Sequence, residues 1–274
     1  MDQNHAAEIH RGQRFEFGVN WARFLTVLDE SRIDQAVASL TAMLGVTDLK
    51  GKHFLDAGSG SGLFSLAARR LGASVHSFDY DPRSVACTQE LKRLYFPDDS
   101  EWMVEEASVL DRDYLAKLGQ FDVVYSWGVL HHTGAMWQAL DNVAALVAGQ
   151  GQLFLAIYND QGWVSRYWHA VKRTYVRYPL TRWPLLLVHA PYSFFAPWLV
   201  HALTGRLGQA RGMSLWHDLI DWIGGYPFEV AQPAEIVSFY RNKGFTLSEM
   251  KTTSRLGCNE FVFVREPSAG RVIR

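Results

Sequence analysis

Cysteine is scarce in this chain. Its 274 residues hold only Cys87 and Cys258, and neither stands in a CxxC or Cys/His ligand spacing. A disulfide framework and a structural zinc site are therefore not expected, and no metal ion is assigned. Excess charge of either sign is also absent: Lys plus Arg is 27 and Asp plus Glu is 28. A protein that coats DNA through its overall charge is thereby excluded. The opening MDQNHAAEIHRGQRF contains no apolar run of the kind a secretory leader needs. The expected location is cytoplasmic, with contact at a membrane surface left open. Internal repeats and low-complexity tracts are lacking as well.

One absence is local. From Trp163 to Arg211 there is no Asp or Glu, while Arg166, Lys172, Arg173, Arg177, Arg182, Arg206 and Arg211 supply seven positive charges among ten aromatic rings. Within it, Trp183 to Gly205 carries no formal charge, a length that invites comparison with a membrane span. Pro184, Pro191 and Pro197 interrupt the run, and His189 and His201 lie inside it. Short helices over a pocket are expected instead.

Apolar residues make up 48% of the chain, enough for a sizeable core. Arg32 to Leu44 places Ile33, Val37, Leu40 and Leu44 on one helical face, and Gly45 is suited to end it. Strands are expected at His53 to Ala57, Ser74 to Phe78, Phe121 to Ser126 and Gln152 to Tyr158. Helices are expected between them at Gly62 to Leu71, Arg83 to Leu94 and Met136 to Val147. This alternation predicts an α/β doubly wound, mostly parallel sheet covered on both faces. After Tyr158 it stops, then returns with a helix at Pro233 to Gly244 and strands at Phe245 to Met250 and Cys258 to Val264. The expected organisation is a nucleotide-type core with N-terminal helices over 1–159, a helical aromatic and basic lid over 160–225, and the rest of the core over 226–274.

Leu55-Asp56-Ala57-Gly58-Ser59-Gly60-Ser61-Gly62 follows the first strand and opens a helix. Its glycines allow a tight turn and close approach of a ligand to the backbone. Asp79 ends the next strand, 17 residues after Gly62, where a carboxylate can accept from both ribose hydroxyls. A dinucleotide site would favour GxGxxG; here the glycines recur every second residue and Asp56 precedes them.

This pattern resembles the class I S-adenosylmethionine-dependent methyltransferases, particularly the ubiquinone-biosynthesis-type and small-molecule O-methyltransferases. The likeness runs over about residues 50–160. It implies a seven-stranded type of sheet with a mainly helical insertion after strand 5, and S-adenosylmethionine as cofactor. On the cofactor side it implies Asp56, Gly58, Ser59, Gly60 and Gly62 in the loop, with Asp79 and Tyr80 after strand 2. Ser108 and Val109 fall at the adenine. Asp is frequent where Ser108 stands, which leaves a main-chain contact from Val109 as the substitute. Ser126 ends the strand 4 pattern, and Trp21 lies in a segment like the helix that covers the cofactor in related enzymes.

Trp127-Gly128-Val129-Leu130-His131-His132 follows strand 4 on the ligand side of the sheet. A near-neutral histidine there suits removal of a proton from a hydroxyl, and the resemblance favours His131 over His132. Tyr158 and Asn159 border the same crevice. The segment from His217 to Glu229 resembles one found in related methyltransferases and brings His217, Asp221 and Tyr226 to the acceptor. The leading expectation is methyl transfer to an oxygen of a small or amphiphilic, lipid-like acceptor, with the acid-free lid favouring an anionic one. RNA (tRNA) methylation through the basic insertion and N-methylation of a small metabolite are the alternatives. Both monomer and homodimer are compatible with the sequence.

Overall fold

The computed structural model describes residues 2–190, 220, 222–254 and 256–267. Strands β1 (His53–Ala57), β2 (Ser74–Asp79), β3 (Trp102–Glu106), β4 (Phe121–Trp127) and β5 (Val147–Tyr158) run parallel. The later strands β6 (Phe245–Lys251) and β7 (Cys258–Arg265) pair antiparallel with each other, and β7 pairs antiparallel with β5. The resulting seven-stranded order is β3-β2-β1-β4-β5-β7-β6. The strand order reverses between β1 and β4, and an open sheet of this kind forms its ligand crevice at that point, beyond the carboxyl ends of the strands.

Alternation within each strand feeds two cores. Leu55 and Ala57 of β1 join Leu115, Leu140, Val143, Ile236 and Tyr240 on one face. Phe54, on the other side of the pleat, joins Ile33, Leu40, Leu66 and Leu91. The helices of the first face are α6 (Arg112–Leu118), α7 (Met136–Ala145) and α9 (Pro233–Arg241). Those of the second are α3 (Glu30–Leu44), α4 (Leu63–Arg70) and α5 (Pro82–Tyr95). Their ends follow local chemistry. Asp29 caps α3 by accepting from the Arg32 amide, and Gly45 closes it in the left-handed region at φ 66°. Asp81 caps α5, with Pro82 at its first turn.

Three elements go beyond the sequence expectation: α1 (Asp2–His10), β3 and α6. Strand β3 lies at the edge of the sheet and reads WMVEE, with Met103 exposed. Its polar, short pattern lacks the apolar run of a buried strand. A further helix, α2 (Gly18–Leu25), precedes α3, and α8 (Trp163–Arg177) follows β5. A turn at Pro179–Thr181 then leads into a returning helix over 182–190. The greater part of the 183–205 run lies outside the described residues.

Candidate active site

Between β1 and α4, Gly58, Gly60 and Gly62 have φ of 87°, 56° and 80°. Space as well as conformation bears on all three, and a Cβ at Gly62 would stand 2.8 Å from the Thr88 Cα. A Cβ at Gly58 would collide with the Val129 side chain, and one at Gly60 would stand 3.2 Å from the Trp21 indole. The glycine loop is thus in direct contact with the segment after β4 and with α2. Ser59 shares a 2.9 Å hydroxyl hydrogen bond with Thr88.

The two acids differ in setting. Asp79 accepts from the Gly60 amide and the Asp81 amide, each at 2.9 Å. It keeps some exposure, yet the protein surrounds its carboxyl closely enough to push it up to about 6 despite those hydrogen bonds. Asp56 is buried and receives the Ser65 hydroxyl at 2.5 Å; Ser65 continues to Ser77, which accepts from the Trp102 indole. Desolvation pushes Asp56 up to about 7. Ser126 is fully buried and donates to the Ala57 carbonyl at 2.7 Å, tying β4 to β1. The Ser108 hydroxyl accepts from the Leu110 amide at 3.1 Å, and the Val109 carbonyl accepts from Asn142 at 2.8 Å.

The N-terminal segment lies across the end of β2. Tyr80 donates to Glu8 at 3.3 Å and lies under the Arg14 guanidinium, which is paired with Glu8 at 2.7 Å. The Gly18 amide donates to Asp81 at 2.8 Å, anchoring the start of α2 beside the same strand end.

A single turn, Leu130–His132, carries both histidines. His132 Nδ1 lies 2.6 Å from the Pro227 carbonyl. A carbonyl only accepts, so Nδ1 holds the proton and Nε2 the lone pair. His131 is 0% exposed, its ring 4.0 Å from that of Tyr158 and 4.4 Å from that of His132. Neither of its ring nitrogens completes a hydrogen bond, although the nearby Ala156 backbone slightly favours the charged form. Burial drives His131 well below the usual histidine range and His132 down to about 3. The expectation of a near-neutral histidine is corrected accordingly: both are held uncharged by desolvation, with Lys172 adding to the effect.

Tyr158 continues the aromatic wall to Phe228, at 5.2 Å, and to Trp222, at 5.7 Å. Buried Lys172 of α8 lies over the Trp222 and Phe228 rings at 4.3 and 4.9 Å. Asn159 has its side-chain amide engaged by Thr253 and Asn259. Tyr226 packs on His169, and its carbonyl accepts from the Phe15 amide. His217 and Asp221 lie outside the described residues. Beyond Phe228 a cavity of about 600 Å³ opens between α7 and α8, lined by Trp137, Asp160, Arg166, His169 and Glu229 among others.

A family model for a methyltransferase domain matches residues 29–206. The chain belongs to that family. The resemblance to class I methyltransferases therefore holds in family as well as in fold. The chain is similar to the ubiquinone biosynthesis O-methyltransferase of Coxiella burnetii, 31% identical over 117 residues that make up 40% of this chain and 45% of that protein. It is also similar to the ribosomal protein L11 methyltransferase of Acinetobacter baumannii, 40% identical over 85 residues, which are 27% of this chain and 28% of that protein. It thus spans less than half the length of these curated relatives. Among solved structures, magnesium protoporphyrin IX methyltransferase from Synechocystis PCC 6803 with bound SAH matches at TM-score 0.52 and 17% identity. That match covers 85% of this chain and 82% of the other. A chain of the complex between the Haloferax volcanii Trm112 methyltransferase activator and a methyltransferase matches at TM-score 0.54 and 14% identity, covering 92% and 99%. These structural likenesses establish the fold.

The residues present fit S-adenosylmethionine, whose ammonium, ribose hydroxyls and adenine amine are all donors. Acceptors for such donors are present at the ends of β2 and β3. Besides Asp79, Glu106 has a buried carboxylate oxygen without a hydrogen-bond partner, and it is paired with Asp79 across β2 and β3. Sequence reasoning placed Ser108 and Val109 at the adenine, with the Val109 main chain as the substitute contact, and did not single out Glu106. The available signal was the register of two strand-ending acids, which needed β3 to be recognised first. The contacts of Arg14, Lys172 and Phe228 were not legible in the sequence either, since they join elements far apart in the chain.

Proposed function

We propose that this protein transfers a methyl group from S-adenosylmethionine to an oxygen of an amphiphilic, anionic acceptor, with His131 taking the proton. Asp79 receives the ribose hydroxyls and Glu106 the adenine amine. Backbone groups of the Gly58–Gly62 loop surround the amino-acid end, and Trp21 closes over Gly60. The bound sulfonium supplies an already activated methyl group. What the chain must add is alignment of the acceptor oxygen, exclusion of water and a place for the proton.

The observation that carries this reading is the buried, uncharged His131 with both ring nitrogens unpartnered, two residues beyond the Val129 that packs on Gly58. Such a group is costly to leave unsatisfied, and an acceptor hydroxyl would satisfy it. Formation of the methyl–oxygen bond would break the methyl–sulfur bond and leave S-adenosylhomocysteine as the neutral thioether, and the hydroxyl proton would pass to a His131 nitrogen. His132, oriented by Pro227, and Tyr158 hold the His131 ring in place. The likeness to the Coxiella burnetii ubiquinone biosynthesis O-methyltransferase supports oxygen as the receiving atom. The basic, acid-free 163–211 segment supports a negatively charged acceptor.

Labelled methyl transfer from S-adenosylmethionine into an extract, separated into lipid, water-soluble and RNA pools, tests the reading. Label is expected in an ether or ester of the lipid or soluble pool. His131→Ala is expected to lower kcat by about 100-fold or more while binding of S-adenosylhomocysteine is kept. Label confined to RNA or to an amine, or full activity of the variant, would overturn it.

A further inference from the structure

Helix α8, the turn and the returning helix form a hairpin whose inner face is built into the protein. Trp168, Val171, Tyr175 and Val176 pack with Leu186, Ile223 and Phe228. Tyr167 reaches His189 across the hairpin at 2.7 Å. The turn itself is stapled by Thr181, whose hydroxyl donates to the Tyr178 carbonyl at 2.7 Å. The hairpin tip is therefore an ordered element.

Its outer side is unusual for a soluble surface. Tyr178 is 58% exposed, Leu180 94% and Trp183 66%. Exposed Arg173, Arg177 and Arg182 flank these side chains, and the Arg177 guanidinium donates at 3.4 Å to the carbonyl of Arg11, also exposed. No acid occurs anywhere in 163–190 to balance them. An apolar point ringed by aromatic and cationic residues matches the layering of a bilayer interface. Leucine reaches the acyl boundary, Trp and Tyr lie at headgroup level, and Arg meets anionic phosphates. Among the described residues no helix is long and apolar enough to cross a membrane.

We infer that the hairpin tip, Tyr178 to Trp183, docks onto the surface of an anionic lipid bilayer. This goes beyond the methyl-transfer reading and does not depend on it. Charge complementarity selects the occupant. A second copy meeting the same patch about a two-fold axis would set these arginines against their own counterparts, with no acid within 163–190 to compensate. RNA would gain phosphate contacts and stacking on Tyr178 and Trp183, but Leu180, the most exposed side chain of the tip, offers nothing that stacks on a base.

Flotation of the full chain with phosphatidylcholine vesicles, alone or mixed with phosphatidylglycerol, is the test. Binding is expected only with phosphatidylglycerol and should weaken with added salt. Leu180→Asp is expected to reduce binding about tenfold or more, and Arg173→Glu combined with Arg177→Glu to abolish the preference for the anionic lipid. Both variants should melt like the parent, because the altered side chains face solvent. Hydrogen exchange at 178–183 is expected to slow when vesicles are present. The proposal is overturned if anionic vesicles do not bind, or if Leu180→Asp binds them as well as the parent does. It is equally overturned if the tip is protected by dimerisation or by RNA and not by lipid.

Discussion

Arg14 donates through Nη1 to the backbone carbonyl of His132 at 2.9 Å, across 118 positions of sequence. The same guanidinium pairs with Glu8 and lies over Tyr80, so one side chain links the end of β2 to the histidine turn. Arg14→Ala is expected to cost about 1–3 kcal/mol in urea unfolding, since it removes charge-assisted hydrogen bonds from a mostly buried group. It should also weaken S-adenosylhomocysteine binding in calorimetry, because Tyr80 loses its cover. Unchanged affinity would mean that the N-terminal segment and the cofactor side act independently.

Cofactor affinity should depend on Asp79 protonation. Its carboxyl is held at about 6 without ligand, and hydroxyl donors favour the ionised form. Binding therefore releases a proton near that pH, and S-adenosylhomocysteine affinity should rise with pH through about 6 and then level off. Asp79→Asn should bind more weakly above that range and lose this pH dependence. Calorimetric titrations across the range supply the check.

The glycine loop is predicted to tolerate no side chain. Gly58→Ala and Gly60→Ala each place a Cβ at positive φ, against Val129 in one case and the Trp21 ring in the other. Both should lower cofactor affinity by about tenfold or more. Gly58→Ala should also lower the melting temperature, because its Cβ would collide with the Val129 side chain. Gly60→Ala should spare stability more, as Trp21 can shift outward.

His132 contributes to acid sensitivity with a defined sign. Its folded value of about 3 lies below the unfolded histidine value of 6.5, so the unfolded chain takes up the proton first. Stability from keeping it neutral is complete above 6.5 and declines as pH falls from there toward about 3. Asp56 and Asp79, both raised, act oppositely: the folded chain gains protons, and stability, as pH falls from about 7 toward 3.8. Comparison with His132→Gln isolates the histidine. The stability gap between parent and variant should narrow below 6.5 in chemical denaturation at stepped pH. A constant gap would show that His132 is not held neutral in the folded state.

Strand and helix positions in the core were legible because each rests on neighbours in sequence. The His53–Ala57 strand, the α3 face with its Gly45 cap and the loop glycines at 58, 60 and 62 obey local rules of periodicity and φ. Edge strand β3 escaped notice because exposure on one side dilutes its apolar pattern, and with it went Glu106. The histidine pair was legible as a motif, but its charge state was not. That state depends on burial against Tyr158 and on the charge of Lys172, with the Pro227 carbonyl opposing it at His132, all brought in from separate segments.

By itself the sequence determined the order of elements, the glycine loop, the strand-ending Asp79 and the acid-free stretch, all set by short-range sterics and composition. Only the tertiary structure decided that Arg14 reaches His132, that Asp56 lies within the core against Ser65, and that His131 is buried against the rings of Tyr158 and His132. Hydrogen bonds between distant segments and the burial that shifts a pKa arise from packing, which no local run of residues encodes.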